Sequence, residues 1–422
     1  MTVRNKIDKS NFLTYIFYYF LPYLGVFLVL QFIVFFTFRL SGKSFVWDID
    51  GIHQHYPSLK YYGEFLRNLI SGKGAPLVDF NIGMGFDTLT TLNYYAIGDP
   101  LTFLTIFSNT ANMERVYEYL ILLRFCLAGV SFILYCFYMK KKGFQSVLGG
   151  LIYVFCGYAL YAGVRHPYFL NPMIYLPLLF IGLEKILIKK KPYLFIIMIF
   201  ISAVSNFYFF YMLTILIFIY AVIRFFFLFK KDEQKSIWGE FFRTAFRASL
   251  YYCLGILLAG FLFLPVVIAF LNNGRFNTGY DVNLLHYPLE YYVLMVNQFL
   301  AADVSCGYWT QLTYAGITPI AILIIFCRKH YKQLQIAFCL GTIFLMVPAI
   351  GYLMNGFAYV SNRWEFGYSF LIAFIFVVAY EELFTLKVHE KILLVAGITV
   401  YAILGLGKPN RSVWIALIFL CL

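Results

Sequence analysis

The apolar positions of this chain fall in long unbroken runs, each near the length that crosses a bilayer, with the polar residues gathered between them. The first run, 13–39, is followed by a polar stretch from Leu40 to about Glu114. Runs at 115–138, 144–162, 168–187, 248–270, 313–327, 334–354, 365–383 and 391–406 predict one helix each. The stretch from Pro192 to Phe229 has lysines beyond both ends and must leave and return, which predicts a helical hairpin with its apex at Ser202–Asn206. The pattern is that of an all-α polytopic membrane protein with about 11 complete transmembrane helices. A twelfth run, Ser412 to Leu422, stops after about half a bilayer. A helix ending in hydrocarbon would leave backbone groups without partners, so the chain reads as the N-terminal part of a longer one. The first run is too long for a cleaved signal peptide and lacks a small-residue cleavage site, so it is expected to be retained. No repeat of solenoid period divides the sequence, and 1–422 is expected to form a single transmembrane domain.

Composition agrees: 62% of residues are hydrophobic and only 13% charged. No single soluble core could bury that much apolar surface, which excludes soluble enzymes, disordered chains and disulfide scaffolds. The net charge of +13 would suggest nucleic acid in a soluble protein, but its placement says otherwise. Clusters such as Lys140–Lys142, Lys189–Lys191 and Arg328/Lys329/Lys332 punctuate alternate ends of the runs. By the positive-inside rule they mark the cytoplasmic side of a plasma membrane. The N-terminus is then cytoplasmic, and two long loops, 40–114 and 271–312, face outward. The charge is a topology signal and a contact with anionic membrane lipids. The eight cysteines show no C-x-x-C spacing and read as membrane-packing residues.

The first outward loop concentrates groups that do chemistry. Asp48 and Asp50 are followed by His53, Gln54, His55, Tyr56 and Pro57. In extended backbone an i, i+2 pair projects to one side, so the two carboxylates are expected to share a site, one taking a proton while the other tunes it or holds a cation. A solvated turn is the competing reading. EF-hand calcium binding is excluded by the missing ligand spacing. Ser58–Ile70 carries Leu59, Tyr62, Phe65, Leu66 and Leu69 at helical spacing, which predicts an amphipathic helix on the membrane surface. Arg165, Arg275 and Arg363 are isolated outward bases able to bind a lipid phosphate, with snorkelling or a salt bridge to Glu365 or Asp281 as the alternative. Tyr94, Tyr95, Tyr168, Tyr208, Trp309 and Trp364 at outward helix ends could stack on sugars or flank a prenyl chain.

Together these residues resemble the bacterial YfhO-type membrane proteins, grouped with the GT-C glycosyltransferases. The resemblance rests on Asp48-x-Asp50-Gly-x-x-Gln54-His-Tyr-Pro57, Asn81-Ile-Gly-Met-Gly-Phe-Asp87 followed by Asp99-Pro100-Leu101, Gly149-Gly150 with Cys156-Gly157 and His166-Pro167, Asn206-Phe-Tyr-Phe-Phe-Tyr211, and Ser361-Asn362-Arg363-Trp364. It implies a GT-C-like fold and transfer of a sugar from a polyprenyl-phosphate donor to an extracytoplasmic acceptor such as teichoic or lipoteichoic acid. A sugar-loading synthase and a flippase are the implied protein partners.

Asp48 and Asp50 match the expected catalytic base, and the sequence leaves open which one acts. The expected substrate-binding set is His53, Gln54, His55, Tyr56, Asp87, Arg165, His166, Tyr208, Asn362, Arg363 and Trp364. Arg363 is the first choice for the leaving phosphate, with Arg165 and His166 next. No cofactor is required, although Mg or Mn at Asp48/Asp50 is compatible with the chemistry. The alternative is a transporter or flippase of a lipid-linked precursor, which would place polar residues at the bilayer midplane. Asn206 and Pro265 are its modest candidates.

Overall fold

The computed structural model describes residues 16–229, 236–272, 283–301, 305–406 and 411–421. Arg275 and Asp281 lie outside them. The chain divides into two compact units: a loop-bearing unit of Phe38–Arg124 and Ala162–Tyr280, and a second unit of Met1–Thr37, Phe125–Tyr161 and Asp281–Leu422.

Among the described residues, six helices are long and apolar enough to cross a bilayer: Phe17–Val34, Met113–Tyr138, Pro167–Leu187, Phe207–Leu228, Ile237–Leu271 and Arg363–Phe384. The other expected crossings take different forms. The 334–354 run breaks before Pro348, where Lys329–Met346 and Pro348–Met354 meet at 92°. Proline has no N–H to continue the ladder and biases its predecessor away from the helical region; Val347 sits at φ −112°, ψ 112°. The 144–162 run is broken: the α-helix Phe144–Val154 ends at Phe155, and a wide helical turn, Ala159–Gly163, follows the interruption. Between the two the Gly157 amide donates to the carbonyls of Leu312 and Thr313, and a Cβ at Gly157 would collide with Gln311 and Leu312 backbone oxygens. Tyr193–Ser205 and Thr318–Cys327 are apolar but short. Ile237–Leu271 begins well before the expected 248 and runs straight through Pro265.

In the loop-bearing unit the chain after the first helix folds on itself. Tyr56–Ile70 is the expected amphipathic helix, but its apolar face meets protein: Leu59, Tyr62 and Leu66 are buried, and the Arg67 guanidinium reaches the Thr105, Ile106 and Ser108 carbonyls of the Thr102–Phe107 turn region. A short antiparallel hairpin pairs Val78 with Asp87 and Asp79 with Phe86. Tyr61 donates to Asp79 at 2.6 Å, and burial, then that carboxylate, pushes its phenol up to about 12. Gly98, at φ +92°, lets the chain pass the Val204 carbonyl, where any Cβ would overlap it.

Below that passage lies a sealed polar knot. Arg124 and Asp99, each 1% exposed, pair at 2.7 Å, while Asn171 accepts from Arg124 and donates to the same Asp99 oxygen. The expected helical hairpin turns at Asn206, which caps Phe207–Leu228 by accepting from the Phe209 amide and donates to the Tyr94 carbonyl. In the second unit, an apolar cavity of about 340 Å³ lies among Met295, Leu312, Leu345, Tyr368, Ile398 and Tyr401.

Candidate active site

Asp48 and Asp50 do not share an extended segment. Asp48 lies in a turn, and Asp50, at φ −70° and ψ −24°, opens a wide helical turn, Gly51–His55, that runs into Tyr56–Ile70. The extended backbone expected to aim both carboxylates to one side is therefore absent, and that expectation is corrected. Asp48 is exposed; Asp50 is half-buried. Their partners differ as well. Asp50 accepts from the Gln54 side-chain amide at 2.8 Å, and the Gln54 oxygen accepts from the Tyr95 hydroxyl at 2.7 Å. The carboxylate can only accept, so it fixes the Gln54 NH₂ toward Asp50 and leaves the amide oxygen to accept from the Tyr95 hydroxyl.

His53 and His55, both expected in the substrate-binding set, are likewise split. His53 is exposed. His55, 2% exposed, meets His166, 4% exposed, with Nε2 of the first 2.8 Å from Nδ1 of the second. A contact of that length needs one N–H donor facing one bare nitrogen. Burial pushes His55 down to about 4. The pair is walled by Trp47, Tyr95, Tyr168 and Phe169. Half-buried Arg165 lies over the Trp47 ring at 5.7 Å. Tyr208, half-buried, extends the aromatic wall through Tyr94. Tyr56 packs on Tyr117. Asp87 is engaged elsewhere, capping Thr88–Asn93 through the amides of Leu89 and Thr90.

In the second unit the Ser361–Trp364 motif forms its own site. Asn362 is 0% exposed and donates to Tyr287, Tyr291 and Thr310. Trp364, 2% exposed, donates to Asn362. These two side chains, expected at a substrate, instead tie the motif to the 287–310 segment from inside. Arg363 is the half-buried member, its guanidinium 4.4 Å from the Trp309 ring and 5.6 Å from Tyr359. Tyr308 and Trp309 both have positive φ, +52° and +60°. Bulky residues rarely hold that conformation, and the buried network below stabilises it.

Sequence reasoning missed the Gln54 to Tyr95 link, the role of Trp47 and the Asp99–Arg124–Asn171 knot. Only the knot left a signal, an arginine inside an apolar run.

Helices of this length and hydropathy, with polar residues clustered in the loops that join them, define a multi-pass membrane protein. Within that class the chain belongs to the YfhO family: residues 21–422 match the family described as bacterial membrane protein YfhO. It is 24% identical over 283 residues to a Bacillus subtilis (strain 168) protein bearing the name "Uncharacterized protein YfhO"; the match covers 66% of this chain and 30% of that relative. No solved structure matches the chain.

Proposed function

We propose that the protein is a membrane glycosyltransferase of the plasma membrane, moving a sugar from a polyprenyl-phosphate carrier to a cell-envelope acceptor on the extracytoplasmic face. One observation carries the reading: in the long first loop Asp50 is held by Gln54, itself held by Tyr95, beside an aromatic wall and a half-buried arginine. A carboxylate with one oxygen fixed and the other available is suited to take a proton. It deprotonates the acceptor hydroxyl, and the oxygen attacks the anomeric carbon from the face opposite the phosphate. The bond to the phosphate oxygen breaks, its electron pair leaves with polyprenyl phosphate, and configuration inverts. Base catalysis of this kind contributes about 10²- to 10⁴-fold.

Arg165 neutralises the leaving phosphate, and Tyr94, Tyr95, Tyr168 and Tyr208 offer sugar-stacking surfaces. Arg363 on Trp309 and Tyr359 is a second cation of the same kind. Among the described residues, the cluster of three ligating groups able to hold a metal includes neither Asp48 nor Asp50, and the reading routes no step through a cation.

The test compares sugar on extracted envelope polymers from a deletion strain complemented with the full-length wild-type gene, Asp50→Asn or Asp48→Asn. Asp50→Asn should abolish sugar at normal protein level, with carrier-linked sugar accumulating in the outer leaflet, while Asp48→Asn retains transfer. Full sugar in both variants refutes the base. A second reading, transport of a lipid-linked precursor, is favoured by Arg124, a charge inside a spanning helix, paired with Asp99 of the first loop. Donor trapped in the inner leaflet would select it.

A further inference from the structure

The transfer reaction leaves one set of ligating side chains unused. In the second unit Cys327 ends the Thr318–Cys327 helix, while His389 and Glu390 open the Val388–Leu406 helix. The sulfur, an imidazole nitrogen and a carboxylate oxygen of these three all lie within 4.8 Å of one another. Glu390 is 0% exposed, Cys327 is half-buried and His389 is exposed, so the cluster has a closed side and an open one.

Glu390 already has partners. Its Oε1 accepts from Arg328 Nε at 3.1 Å, and its Oε2 accepts from Arg328 Nη2 at 3.4 Å and from the Lys387 amide at 2.7 Å. A carboxylate offers about four lone-pair positions, so one remains on Oε1. Charge points the same way. Arg328 also pairs with Glu382 at 2.9 Å, and His330 lies 3.4 Å from that carboxylate. Two carboxylates against one guanidinium leave the group one negative charge in excess while Cys327 is a thiol. A divalent ion that displaces the thiol proton to solvent adds two positive charges and one negative, bringing the group to neutrality. Lys329, Glu381 and Lys387 are exposed around it, where water screens them.

We propose that Cys327, His389 and Glu390 bind one Zn²⁺, with the fourth tetrahedral position open to water. A mixed sulfur, nitrogen and oxygen donor set suits zinc and disfavours magnesium or calcium, which prefer all-oxygen shells. Bound there, the ion pins the end of one apolar helix to the start of another, a role independent of glycosyl transfer.

The experiment uses the purified full chain in detergent, reduced and stripped of metal by chelator, titrated with Co²⁺ and then with Zn²⁺. The expected result is a sulfur-to-cobalt charge-transfer band saturating at one equivalent and erased by Zn²⁺. Cys327→Ser and His389→Ala should each abolish the saturable band while eluting as the wild type does. The exposed cysteines Cys253 and Cys339 serve as controls, and their serine variants should keep it. Absence of the band in folded wild type, or its survival in Cys327→Ser, overturns the site.

Discussion

Asp50 has one oxygen committed to Gln54, and replacing that amide by an acid reverses the sign of the contact. In Gln54→Glu two carboxylates face each other, and like charge raises the pH at which either ionises. The acid limb of the transfer rate, followed in membranes against pH, should therefore move to higher pH, whereas Gln54→Leu, which only takes a donor away from the charged form, should lower the rate and move the limb in the same direction by less. An unmoved limb in Gln54→Glu would mean that Asp50 is not the base. The buried imidazole pair makes a different prediction, for stability. His55 has a folded value near 4 against about 6.5 when unfolded. Between those values the unfolded chain holds a proton that the folded one refuses, so stability rises with pH across that window and is flat above it. The loss on acidification from pH 7 to 4 is about 3 kcal/mol at most. The thermal midpoint in detergent should fall below pH 6.5 in wild type and fall less in His55→Phe. Equal acid sensitivity in both would assign the effect to other groups.

At the scale of elements, the sequence pattern located most apolar runs and misjudged how several end. Hydrophobic periodicity reports which residues avoid water, and it found the hairpin apex because Asn206 interrupts an apolar run. It could not report that Gly157 gives its amide to Leu312 and Thr313, because those partners are far away in sequence and became visible only on folding. The Val347–Pro348 break was readable from Pro348 alone, and the apolar run around it hid the signal. The Tyr56–Ile70 helix shows the opposite limit: its amphipathic face was evident, but not whether lipid or the Thr102–Phe107 turn covers it. Gly98 illustrates how tightly such elements are set. Gly98→Ala must place a Cβ into the Val204 carbonyl at a φ that alanine avoids. Because Asn93 donates to that same carbonyl, the hairpin apex and the first loop should loosen together. Limited proteolysis of the 38–112 segment should accelerate in Gly98→Ala, while Gly260→Ala, whose Cβ meets no atom within 4 Å, should resemble wild type.

For the whole molecule, the reading depends on which face the long first loop occupies, because Asp50 can use an outer-leaflet donor only from outside. Electrostatics favours the outer side. The clusters at Lys140–Lys142 and Lys189–Lys191 and the base Arg328 follow or precede apolar helices on one alternating side, and basic residues stay cytoplasmic. The first loop carries Asp48, Asp50, Glu64, Asp79, Asp87 and Asp99 among its bases and gives no comparable cluster. Orientation is measurable without knowing the substrate. In a background where the exposed Cys253 and Cys339 are serine, Ser71→Cys in the first loop and Lys190→Cys in a basic cluster, both exposed, are offered to a membrane-impermeant maleimide in intact cells. Ser71→Cys should label at once, and Lys190→Cys only after the membrane is opened. The reverse pattern would put Asp50 on the cytoplasmic side, where an activated sugar need not cross on a lipid carrier. The transfer mechanism would then lose its donor even if Asp50 remained essential.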